Sequence, residues 1–189
     1  ESPVSNLDAV YKVILLIGNH DVHYLYPQVG KGCSRYDYSN EDLLIDLFNA
    51  NKELFQLTYQ YKNHLFVHAG ITNYWLKNRK DILRLGIYPN YSNLSESLNE
   101  FVDSVPSAVL QINDVGYCRG GWSRTGGPIW LDISETSDLF NEVETHQIVG
   151  HSQVKNITSF KEGESSITFC DVLGNKELSL EEKYLTLEI

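Results

Sequence analysis

Apolar residues fall along this chain in two rhythms. Short β-branched and aliphatic runs (Val13 to Ile17, Leu65 to Val67, Ile148-Val149) are bounded by turn residues and predict buried strands. Elsewhere apolar residues recur at helical spacing. Ser39-Asn40 followed by Glu41-Asp42 predicts a helix start, because acidic side chains in a first turn face the positive end of the helix dipole. Leu43, Leu44, Leu47 and Phe48 carry that helix to about Asn51. Asn6 to Lys12 predicts the end of an earlier helix. His23 to Tyr38, aromatic-rich and holding Pro27, Gly30 and Gly32, predicts an ordered loop.

No strand signal occurs from Thr72 to Ile112. Trp75, Leu76, Ile82 and Leu83 predict one helix there. Leu94, Leu98, Phe101, Val102 and Val105 predict another, which Pro106 interrupts. The expectation is a single domain over residues 1–189 with a helical insertion at 72–112. Gly116 to Pro128 predicts a glycine-rich loop carrying Arg119 and Arg124. The tail changes period: Ile157 to Phe160, Ser166 to Asp171 and Lys183 to Glu188 predict strands. Turns at Glu162-Gly163 and Gly174-Asn175 would make them hairpins of a second sheet packed on the first.

The three strand runs share an ending. They stop at Gly18-Asn19-His20-Asp21, His68-Ala69-Gly70 and Gly150-His151-Ser152. In layered α/β folds ligands collect outside the carboxyl ends of strands. Asn19, His68 and His151 could there supply one carbonyl oxygen and two imidazole nitrogens to a divalent transition metal, a set suited to manganese, iron or zinc rather than calcium. His20 is the candidate general acid for a departing alkoxide. Asp21 joins it in the same candidate catalytic turn, with a carboxylate suited to orienting that turn. A single histidine beside a strand is ordinarily a hydrogen-bonded structural residue, which is how His23, His64 and His146 read. Repetition at three strand ends distinguishes the others. Arg119 and Arg124 are candidate bidentate phosphate ligands, against the alternative of a solvated loop. Tyr117, Trp122 and Trp130 read equally as pocket walls or core, and Asp171 as a site-edge carboxylate or a turn residue.

Composition narrows the classes. The 189 residues can bury one good core, and a formal net charge of −10 argues against nucleic-acid polymers and anionic membrane surfaces. No apolar stretch reaches membrane-spanning length. Cys33, Cys118 and Cys170 are too few and too scattered for a disulfide framework or thiolate zinc site and read as reduced thiols. The Asn-x-Ser/Thr triplets at Asn90, Asn93 and Asn156 read as chance. The chain contains no methionine and opens on Glu1-Ser2-Pro3, so it is expected to lack its natural start.

The ordered set Gly18-Asn19-His20-Asp21, His68-Ala69-Gly70 and Gly150-His151-Ser152 resembles the calcineurin-like metallophosphoesterases, and within them the bacterial-type phosphoprotein phosphatase family. Motifs of that family run Gly-Asp-x-His-Gly, Gly-Asp-x-x-Asp-Arg-Gly, Gly-Asn-His-Glu/Asp, His-Gly/Ala-Gly and a late Gly-His-Thr/Ser. The last three are present and the first two are not, which reads as truncation with impaired turnover rather than as an evolved pseudoenzyme. The resemblance implies an α/β fold with a β-sandwich flanked by helices and two divalent ions, manganese foremost. Asn19, His68 and His151 would hold the second ion, and His20 would protonate the leaving group or hold the phosphate. Arg119 or Arg124 would grip the phosphate. Family members often place an arginine after Pro-x-Trp, where this chain has Leu131-Asp132 after Pro128-Ile129-Trp130.

The implied activity is hydrolysis of phosphomonoesters by metal-activated water, with protein Ser/Thr phosphatase as one form. The alternatives are dinucleoside polyphosphate hydrolysis, since His68 to Ile71 also resembles those relatives, and a non-catalytic scaffold. The expected partner is a phosphorylated protein or nucleotide, and the expected compartment the cytoplasm.

Overall fold

A computed structural model describes residues 12–32, 35–78 and 93–187. Cys33, Asn90, the Ile82-Leu83 part of the predicted insertion and nearly all of the predicted Asn6 to Lys12 helix end lie outside the described residues. The architecture is α/β with a mixed sheet. Strand β1 (Leu15–Leu16) pairs in parallel with β2 (Phe55–Gln56). Five further strands follow: β3 (Thr58–Tyr61), β4 (His64–Val67), β5 (His146–Gln153), β6 (Thr158–Glu162) and β7 (Ser165–Asp171). They form one sheet of order β3-β4-β5-β7-β6, with parallel pairing of β4, β5 and β7 at its centre and antiparallel strands at both edges.

Local chemistry explains the pairing. The β3–β4 hairpin turns through Lys62-Asn63, with Lys62 at φ 53, the left-handed conformation that tight hairpins require. Along the central strands Leu65, Val67, Val149, Ile167 and Phe169 are buried. Two tail expectations are corrected. The β6–β7 hairpin turns at Gly163 but joins the sheet of β4 and β5 rather than forming a second one, because β7 pairs in parallel with β5. Residues 183–187 are not a strand: Glu181–Lys183 is a 3-10 turn and no ladder follows it. The predicted loop after Asp21 instead begins with a helical turn, α1 (Val22–Leu25).

Four more helices are described: α2 (Glu41–Ala50), α3 (Asn73–Lys77), α4 (Leu94–Ser104) and α5 (Ala108–Ile112). Asn93 caps α4, its Oδ1 accepting the Glu96 N–H at 3.2 Å while its Nδ2 donates to the Glu96 carboxylate at 2.7 Å. Before Pro106 the backbone is extended at Val105, and α4 stops there. Leu94, Leu98 and Phe101 of α4 enter the main core with Trp75, Ile112 and Phe140. Asn99 of α4 completes the sheet edge. Its Oδ1 accepts from Leu57 N and Thr58 N at 3.0 and 3.1 Å, and its Nδ2 donates to Thr58 O at 2.9 Å. Among the described residues no helix is long and apolar enough to cross a membrane.

Candidate functional site

The exits of β1 and β4 and the C-terminal half of β5 build the site. After β1, the Gly18 N–H donates to Asp21 Oδ2 at 3.0 Å, so the Asp21 carboxylate closes the turn. A Cβ on Gly18 would lie 2.9 Å from that oxygen and 3.1 Å from His68 Cε1, so glycine is what lets this turn and the His68 ring approach each other. Asn19 is thereby buried, with Oδ1 at 2.9 Å from His68 Nε2.

The β4 exit is held from two sides. Ala69 N donates to Pro128 O at 2.8 Å, tying the exit to the loop before Trp130. The fully buried Gln147 side chain behaves like a strand backbone: its Oε1 accepts the Ile71 N–H at 2.7 Å and its Nε2 donates to Ile71 O at 2.9 Å. Between these anchors Gly70 sits at φ 128, and a Cβ there would meet Leu131 Cδ2 at 2.6 Å.

In the C-terminal half of β5 the pairing with β7 shifts register between Val149 and Gln153. His151 lies in this irregularity at φ 58, a left-handed conformation that a histidine holds only when its surroundings impose it, and such strain clusters at functional sites. Its Nδ1 comes within 3.2 Å of His68 Nε2, and the Trp130 ring meets its ring edge-on at 5.6 Å. Both contacts of His68 fit a tautomer whose Nε2–H donates to Asn19 Oδ1 and His151 Nδ1, and His151 Nε2 is then buried with no hydrogen-bond partner among the described residues. Burial, reinforced by the neighbouring His151 and His20, lowers the His68 pKa to about 3. Burial and then the Arg119 charge, partly offset by Asp132, lower that of His151 to about 4. Both rings are neutral at neutral pH.

Arg119 is braced from two directions. Its Nε contacts Asp132 Oδ2 at 2.6 Å and its Nη2 donates to Ser152 Oγ at 2.9 Å. Burial opposes ionisation of Asp132, but hydrogen bonds from Ser134 and the Arg119 guanidinium outweigh it and hold the carboxyl below its ordinary range. Asp132 and Glu135 in turn form a capping box on the following 3-10 turn. The guanidinium is thus fixed while keeping N–H groups beyond those two bonds for an incoming anion.

These segments enclose a cleft of about 590 Å³. Asn19, His20, His68, His151 and Arg119 all line it, and Asp171 stands at its wall. Arg124 does not line it and instead lies over the Tyr74 ring at 5.1 Å. Asp21 is likewise absent from the lining. Trp130 is a wall, hydrogen-bonded through Nε1 to Asn113 Oδ1 at 2.7 Å. Arg35, Ser152 and Gln147 escaped sequence reasoning. Ser152 stood in a quoted motif, and Gln147 is a polar residue at an inward strand position, which is itself a signal. Arg35 sits in an aromatic loop with no periodicity to mark it.

The assignment of two divalent ions is corrected. The donors at the strand exits are an amide and two imidazoles, and among the described residues no group of three or more His, Cys, Asp or Glu side chains is placed to hold a metal. Among the described residues the anionic donors that a pair of hard or borderline cations requires are not assembled here. Neither described cysteine lines the cleft: Cys118 is exposed on its 3-10 turn, and burial pushes the Cys170 thiol up.

No family model and no curated protein matches the chain. Solved structures similar to it include the cold-active protein-tyrosine phosphatase of the psychrophile Shewanella sp., at 19% identity and TM-score 0.41, over 85% of this chain and 49% of that one. A point mutant of a cold-active protein-tyrosine phosphatase gives 19% identity and TM-score 0.42 over the same shares. The chain spans about half the length of these structures. They are named protein-tyrosine phosphatases and not calcineurin-like metallophosphoesterases. Membership of the calcineurin-like family, its β-sandwich and its manganese-dependent Ser/Thr phosphatase activity are corrected: no family model matches the chain, no metal-holding cluster is assembled among the described residues, and what stands is an α/β fold with a mixed sheet and helices.

Proposed function

We propose that the cleft at the ends of β1, β4 and β5 binds a phosphate monoester and hydrolyses it. The observation that carries this reading is Arg119, a guanidinium clamped by Asp132 and Ser152 at the edge of a histidine-lined cleft. A planar fork held in place matches phosphate oxygens at little entropic cost. Arg35, also lining the cleft, adds a second positive charge. With His68 and His151 neutral, Arg35 and Arg119 line the cleft together with the Asp171 carboxylate, and Asp132 is paired to Arg119, so phosphate would be held by the arginines' remaining N–H groups rather than by a net positive field.

His20 lines the cleft beside Asn19 and can hand a proton to the departing ester oxygen, which otherwise leaves as a costly alkoxide. The strained backbone at His151 and the Gln147 brace keep the histidine wall in one geometry, which is what positioning for in-line attack by water needs. That similar solved structures are protein-tyrosine phosphatases is consistent with a phosphorylated substrate.

The test is release of p-nitrophenol from p-nitrophenyl phosphate by the chain and its Arg119→Ala variant. The expected result is hydrolysis by the wild type and a fall of about tenfold or more in kcat/KM on losing the charge-assisted bonds. Equal rates in the two proteins would overturn the assignment of the cleft.

A further inference from the structure

A second groove, of about 410 Å³, adjoins the cleft. Arg119 and Trp130 line both, and Gly32, Val115, Gly121 and Trp122 complete the main walls of the second. Trp130 presents a fixed surface, because its indole is anchored to Asn113 and set edge-on against His151. Trp122 is the opposite case. Its side chain is 92% exposed, an indole left in water at the lip of a groove.

The loop holding Trp122 is tightly built. Tyr117 N donates to Ser123 O at 2.9 Å, Ser123 N to Val115 O at 3.2 Å, and Gly121 N to Gly116 O at 3.0 Å. A Cβ on Gly121 would stand 2.0 Å from Val115 O, so only glycine allows the chain to fold back so closely. The loop that carries Arg119 into the phosphate cleft therefore carries Trp122 to the neighbouring groove three residues later, on a cross-linked frame. Because Arg119 lines both cavities, a phosphate held there has this groove beside it as one course for its ester substituent.

We propose that the groove receives the aromatic ring of an aryl phosphate monoester whose phosphate rests on Arg119, with Trp122 and Trp130 as the specificity-determining residues. This rests on the phosphate reading of the cleft. An aryl ester places a planar ring one oxygen away from phosphorus, beside the guanidinium that both cavities share. Indole faces attract such a ring through offset or edge-on contact as well as through burial of apolar surface. An alkyl ester of small size offers neither.

Calorimetric titration with inorganic phosphate, methyl phosphate and phenyl phosphate tests this. The wild type is expected to bind phenyl phosphate about tenfold more tightly than methyl phosphate. Trp122→Ala should cut that ratio at least threefold, and Trp122→Phe should retain most of it. Equal binding of the two esters by the wild type, or an unchanged ratio in Trp122→Ala, would overturn the aromatic subsite while leaving the phosphate cleft standing. Failure of inorganic phosphate and both esters to bind would overturn the cleft assignment and the subsite together.

Discussion

Replacing Gln147 by leucine removes a fully buried side-chain amide and its two hydrogen bonds. The leucine has similar bulk, so the cavity left behind is small and the cost falls on Ile71. Its N–H and C=O, now bonded at 2.7 and 2.9 Å to the amide, would face hydrocarbon. A buried backbone group left unpaired costs about 1–3 kcal/mol, so the pair should cost about 2–6 kcal/mol, against a total stability of about 5–15 kcal/mol for a domain. Partial relaxation of the β4 exit toward solvent favours the lower half of that range. Urea denaturation followed by tryptophan fluorescence reports the change, and with a slope of about 2 kcal/mol per molar the midpoint should fall by about 1–2 M. The same variant should bind phosphate more weakly, because the segment from His68 to Ile71 loses its brace. An unchanged midpoint would show that Gln147 does not hold this exit and would refute the reasoning.

Other expectations follow from the same geometry. His68 titrates near pH 3 in the fold against 6.5 when free, so at pH 7 it is neutral in both states and its contribution is fully present. As pH falls below about 6.5 the unfolded chain takes up a proton that the fold refuses, and stability is lost at up to about 1.4 kcal/mol per pH unit until the folded value is passed. His151, lowered to about 4, acts in the same direction, with a smaller effect because it is more open to solvent. Urea midpoints that stay level between pH 7 and pH 5 would contradict this. Phe101→Ala, at a fully buried position of α4, should cost about 3–5 kcal/mol by thermal or urea unfolding, and a cost under 1 kcal/mol would contradict the core described above.

Part of the scaffold could be read from local pattern: Leu65 and Val67 are buried as expected, whereas the run from Val13 to Ile17 gives only a two-residue strand with Val13 and Leu15 exposed. The runs ending at His68 and His151 do lie side by side, since β4 and β5 pair in parallel. The hairpin of β6 and β7 was visible, but not the sheet it joins, which depends on a partner strand distant in sequence. Strand β3 was missed, as Thr58-Tyr-Gln-Tyr61 mixes polar and aromatic residues with no clear apolar face. At the site the limits are sharper. Spacing could nominate Arg119 and Arg124 equally, and only the folded loop sends one to the cleft and the other onto Tyr74. The pairing of Arg119 with Asp132 and the bracing by Gln147 are tertiary facts with no local signature. Family motifs located the ends of β1 and β4, whereas Gly150-His151-Ser152 lies inside β5, and they overstated the chemistry, because short glycine-histidine segments specify backbone geometry more firmly than they specify a set of metal donors.

The central claim is that Arg119 makes this cleft a phosphate site. Calorimetric titration of the wild type and of Arg119→Ala with inorganic phosphate tests it most directly. The account predicts saturable binding to the wild type that weakens by about ten- to a hundredfold in the variant, the worth of charge-assisted hydrogen bonds. Identical isotherms for the two proteins, or no binding to either, would contradict it.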